Sequence, residues 1–177
     1  FTSEGKMYRL KGYEIPEGSK NSKGMNIVNL LPLENGEKIS AMLSVPADDE
    51  GKYLCMFTKK GLIKRTALNL YKNIRKNGII ALSIDEGDEL MFVRMTTGEE
   101  NLLLATKKGV AIHFRESDVR TMGRTARGVK AITIREGDSV VDMAICDQNT
   151  KVLTISETGY GRISNISDYR LQSRGGK

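Results

Sequence analysis

Tryptophan is absent from this 177-residue chain, aromatics make up only 6% of it, and there are two cysteines and one histidine. Too few rings are available for a platform on which single-stranded bases would stack, which argues against that mode of nucleic-acid binding. Cys55, Cys146 and His113 cannot assemble the usual zinc ligand set. Both cysteines sit in apolar stretches, Tyr53 to Phe57 and Met143 to Cys146, and read as buried small hydrophobes. No run of about 18 apolar residues is present to suggest a membrane span, and no signal pattern opens the chain, so a cytosolic protein is expected. A Gly-Lys-Ser/Thr phosphate loop, a nucleophile elbow and paired carboxylates on a plausible scaffold are also missing, which predicts that the chain carries no catalytic residue, metal or cofactor of its own.

What is present is a repeat. A hydroxyl residue, two polar residues and a glycine recur as Thr2–Gly5, Thr58–Gly61, Thr106–Gly109 and Ser156–Gly159. The glycines follow one another at intervals of 56, 48 and 50 residues, by subtraction. Each is flanked by apolar stretches, the pattern of a β-hairpin turn, and the period is that of a propeller-like array. The units fall approximately at 1–46, 47–96, 97–146 and 147–177. Four strands are expected in each. In the third unit these are Leu102 to Ala105, Val110 to Phe114, Val129 to Ile134 and Ser139 to Ile145. Stretches such as Leu68 to Tyr71 and Ser117 to Val119 can form a turn of helix at most. Asp88 and Asp138, in the Glu-Gly-Asp joints between third and fourth strands, read as turn formers.

The net charge is +6, from 28 Lys and Arg against 22 Asp and Glu, so its placement matters more than its size. It recurs in the loop between the second and third strands of every unit: Lys20 and Lys23 in the first, Arg75 and Lys76 in the second, Arg124 and Arg127 in the third, Arg174 and Lys177 in the fourth. A rigid array that repeats one positive corner makes a stripe, which suits the recurring phosphates of a duplex. The adjacent glycines are expected to let the backbone approach a phosphate closely. No recognition helix or set of base-reading side chains accompanies the stripe, so phosphate contact with little sequence preference is the predicted mode. His113 stands where Arg9 and Arg65 stand in earlier units and reads as a substituted surface cation.

Four stretches, Ile27 to Glu34, Asp85 to Leu90, Phe114 to Arg120 with Met122-Gly123, and Thr158 to Arg162, resemble the C-terminal domain of the DNA gyrase A protein over essentially the whole chain. The resemblance implies an all-β pinwheel, a propeller variant whose neighbouring blades exchange strands, here about three and a half four-stranded blades. It also implies wrapping of duplex DNA on a basic outer rim. The ATP, magnesium and nucleophile of an ATP-dependent type II topoisomerase would then lie in other parts, the breakage-reunion domain and the gyrase B protein, in a bacterial, nucleoid-associated enzyme. Taken alone, the chain is expected to be monomeric. Gln172, Arg174, Gly175, Gly176 and Lys177 are similar to the family's basic glycine box, with Ser173 departing from it. The alternatives are a C-terminal domain of topoisomerase IV and a protein-binding propeller.

Overall fold

The computed structural model describes residues 1–46 and 50–176. Its strands are β1 (Lys6–Met7), β2 (Tyr53–Thr58), β3 (Leu62–Ala67), β4 (Ile79–Ile80), β5 (Leu90–Thr96), β6 (Asn101–Thr106), β7 (Ala111–Arg115), β8 (Val129–Lys130), β9 (Val140–Cys146), β10 (Lys151–Ile155) and β11 (Gly161–Asn165). Helix among the described residues is confined to short 3-10 turns, including Leu68–Tyr71 and Glu116–Asp118.

The hairpin motif forms for a local reason. The Thr58 carbonyl accepts from Gly61 N at 3.0 Å, and its hydroxyl accepts from Leu62 N at 3.1 Å. Thr106 and Ser156 repeat the hydroxyl contact with Val110 and Tyr160. Gly61 adopts φ +82°, a region open to glycine and strained for other residues. The acidic joints are equally local in logic. One oxygen of Asp88 accepts from Lys60 N and Glu89 N, and one of Asp138 from Lys108 N and Ser139 N, all within 2.9 Å. Each carboxylate thereby ties its turn to the hairpin tip, where the pairing of the central strand with the outer strand shifts register.

All the strand pairs are antiparallel. The second unit holds the sheet β5-β2-β3-β8, the third β7-β6-β9, and two-stranded pairs join β1 to β4 and β10 to β11. The expected third strand is corrected here in length, and it is the strand that neighbouring units exchange, as the resemblance implied. Val129–Lys130 alone forms a ladder, and it pairs with Leu62 and Ile63 of the preceding unit. Ile79–Ile80 likewise pairs with Lys6–Met7 of the first unit. Beyond Lys130 the chain leaves the ladder, and both Ala131 N and Ile132 N donate to the Gly61 carbonyl. A Cβ on Gly61 would lie 2.8 Å from the Ile132 carbonyl oxygen and 2.9 Å from Ile134, so the glycine also makes room for this crossing segment. Ala131 and Ile132 are buried because they pack between sheets.

The central strands β2 and β6 each serve two cores. Along β2, Cys55 and Phe57 pack with Leu102, Leu104, Ile112 and Phe114 of the third unit, while Leu54 and Met56 pack with Met7, Leu82, Leu90 and Val93 on the other side. Along β6, Leu102 and Leu104 face the second unit and Leu103 faces Cys146 and Ile166. Alternating side chains of a strand point to opposite faces, and a sheet covered on both faces needs a continuous apolar run. Tyr53 to Phe57 and Leu102 to Leu104 supply such runs. Packing unit against unit sets the long loops at one repeated corner.

Candidate nucleic-acid interface

The long loops of the third and fourth units are each anchored on the unit before. In the third unit's loop, Thr121 bridges to Arg65 in parallel and Met122 N donates to the Arg65 carbonyl at 2.8 Å. In the fourth, Leu171 bridges to His113 and Gln172 N donates to the His113 carbonyl at 2.9 Å. The far ends are held too. Ser83 donates from its hydroxyl to the Thr125 carbonyl at 2.7 Å and from its N–H to Ala126. Thr133 makes the corresponding pair with Gly175 and Gly176.

The predicted cations fall into different situations. Lys20, Lys23, Arg75 and Lys76 are exposed or nearly so. Arg124 is half-buried, and it shares with Arg75, Asn77, Gly78 and Thr125 an open groove of about 650 Å³. Arg127 is exposed on its side chain and forms an ion pair with Asp85 of the preceding unit, Nε to Oδ2, at 2.8 Å. Arg174 is half-buried and turned onto protein, its Nε donating to the Asp118 carbonyl at 3.0 Å and its Nη1 to the Lys130 carbonyl at 2.9 Å. In the box, Gly175 N donates to the Ala131 carbonyl at 2.6 Å and Gln172 lies beside Gly176. Lys177 lies outside the described residues.

Two expectations change in this light. The glycines beside the cations answer a demand inside the protein: a Cβ on Gly128 would stand 2.7 Å from the Ile63 carbonyl oxygen, and one on Gly78 would stand 2.7 Å from the Tyr8 ring. Gly24 meets nothing within 4 Å and keeps only its φ of +69° as a reason. His113 is no surface cation. It is 7% exposed, and its Nδ1 lies 3.0 Å from the Tyr169 carbonyl, which can only accept, so Nδ1 carries the hydrogen. Arg65, at the matching position, is half-buried, with its guanidinium over the Tyr53 ring and 4.0 Å from Glu116. At Arg65 and His113 this strand position lies under an anchored loop that covers the side chain, whereas Arg9, at the same offset in the first unit, is exposed.

Charge is handled differently at the hairpin tips. Lys59 pairs with Glu89 at 2.9 Å, Lys107 with Glu157 at 3.4 Å, and the Lys60 and Lys108 ammoniums donate to the Glu86 and Glu136 carbonyls. Those lysines already have protein partners, whereas the groove between the second and third loops presents Arg75 and Arg124 to solvent. Sequence spacing does not reveal Lys64, which is fully buried beneath this groove. Its only signal is a charged residue at a position that is Ile112 one unit later.

An all-β repeat array with strands exchanged between units and basic loops at one corner is the architecture of a pinwheel-type binding domain. The chain belongs to the family described as DNA gyrase C-terminal domain, beta-propeller, whose pattern matches residues 1–46, 52–97, 100–147 and 150–177. It is 48% identical, over its whole length, to the DNA gyrase A proteins of Staphylococcus epidermidis and of Staphylococcus aureus, and it spans 20% of their length. Among solved structures, the C-terminal domain of DNA topoisomerase IV superposes with a TM-score of 0.91 at 26% identity, covering all of this chain and 55% of that one. The DNA gyrase A C-terminal domain superposes with 0.82 at 30%, covering 99% and 56%. Among the described residues no helix is long and apolar enough to cross a membrane.

Proposed function

We propose that this chain binds, bends and wraps duplex DNA along its long loops, with little sequence preference, as the wrapping module of a DNA gyrase A protein. In that setting it supports the introduction of negative supercoils, and the ATP- and magnesium-dependent chemistry belongs to the breakage-reunion domain and the gyrase B protein. The observation that carries this reading is the groove in which Arg75 of one unit and Arg124 of the next stand together, because cations of two successive loops on one surface suit the recurring phosphates of a duplex. Lys20 and Lys23 extend the track on the first unit, with Lys76, Arg127 and Lys177 as further contributors, whereas Arg174 holds its own loop. The bacterial cytoplasm, at the nucleoid, is the matching location.

The high superposition with the topoisomerase IV domain favours one second reading, a wrapping module of that enzyme, which would use the same track. Titration of a labelled duplex at roughly 50 and 200 mM salt tests the shared claim. Affinity should fall steeply with salt and be nearly equal for unrelated duplex sequences. Absence of duplex binding at the lower salt would overturn it.

A further inference from the structure

Lys64 is the only lysine or arginine among the buried residues described, with 0% exposure. The fold does not require an amine there, since the next unit places the apolar Ile112 at the same offset from its hairpin glycine. Removing an ammonium from water is costly unless its donors are satisfied. Here they meet three acceptors: the Tyr71 hydroxyl at 3.4 Å, the Ala81 carbonyl at 2.5 Å, and the Arg124 carbonyl. Tyr71 and Ala81 belong to the second unit, and Arg124 to the loop of the third. The ammonium therefore ties the backbone of a groove-lining arginine to the unit beneath it.

We propose that Lys64 is a positioning residue of the duplex-binding surface, its ammonium fixing the Arg124 loop so that the Arg124 side chain faces the groove it shares with Arg75. This rests on the reading of the chain as a duplex-binding module.

The test compares duplex affinity, by anisotropy of a labelled mixed-sequence duplex, for the 177-residue chain, Lys64→Ile, Arg124→Ala and the double variant, with thermal unfolding followed for each. Ile is chosen because the third unit folds with it at this position. Lys64→Ile should bind about tenfold more weakly while remaining folded, and should add little further loss in the Arg124→Ala background, because both changes remove the same contact. Equal affinity of Lys64→Ile and wild type, or losses that simply add, would overturn the role of Lys64 and leave duplex binding standing. A wild-type chain that does not bind duplex would overturn both. If Lys64→Ile fails to fold, Lys64→Met takes its place, since it keeps an unbranched apolar stem and removes only the ammonium. A similar loss that vanishes in the Arg124→Ala background is expected, and equal affinity or additive losses would overturn the proposal.

Discussion

The junction between the second and third units and that between the third and fourth share a backbone frame and differ in how they use cations. In both, a hydroxyl residue, Ser83 or Thr133, ties the far end of the incoming loop, and an N–H on its near limb, of Met122 or Gln172, donates to the strand below. In the first junction a buried lysine grips the loop from beneath and Asp85 pairs with Arg127. In the second, Ile112 replaces Lys64, Arg135 replaces Asp85, and the loop is secured by its own Arg174 through the Asp118 and Lys130 carbonyls. A cation at one repeat offset can therefore hold the fold or remain available to a ligand, depending on what lies underneath it.

The largest expected effect concerns the hairpin glycines of the two units. Gly61→Ala drives a Cβ to 2.8 Å from a backbone oxygen at φ +82°, and should cost about 3 kcal/mol or more in thermal or denaturant unfolding. Gly109→Ala, at φ +79° with nothing within 4 Å, should cost only about 1 kcal/mol, the conformational part. Equal costs would mean that the crossing segment does not constrain Gly61.

Next in size is the exchange of roles between Arg174 and Arg124. Arg174→Ala, which removes donors from two carbonyls, should lower stability by about 1–2 kcal/mol and change the salt dependence of duplex binding little. Arg124→Ala should lower the slope of log affinity against log salt by about one with stability within about 0.5 kcal/mol. Matching effects of the two substitutions on slope and on unfolding would erase the distinction between the junctions.

The smallest effect concerns Asp85, whose carboxylate pairs with Arg127 and would compete with a phosphate there. Asp85→Asn should tighten duplex binding about twofold at low salt, an advantage that fades as salt rises, since an exposed ion pair is worth well under about 1 kcal/mol. Unchanged or weaker binding would show that Arg127 does not contribute to the track.

Much of the fold was legible because it depends on neighbours close in sequence. The hydroxyl of Thr58 and the N–H of Leu62 are four residues apart, and the apolar runs Tyr53 to Phe57 and Leu102 to Leu104 announce strands covered on both faces. The third strand is shorter than its pattern predicts, because Val129 to Ile134 alternates well enough to imitate a ladder whereas Ala131 and Ile132 are apolar to fill the space between sheets. Of the site, the basic loops could be found from spacing, but the reason for their glycines could not. The close approaches of Gly128 to Ile63 and of Gly78 to Tyr8 join segments of different units.

Sequence alone determined the all-β class, the hairpin and acidic turns, and the loops that carry positive charge, since each is written in residues within a few positions of one another. Tertiary structure decided that Val129–Lys130 completes the sheet of the preceding unit, that Arg174 is bound to protein while Arg124 lines a groove, and that Lys64 lies buried under it. Those outcomes depend on which carbonyl, carboxylate or ring a neighbouring unit brings within about 3 Å, the reach of a hydrogen bond, across dozens of residues of intervening chain.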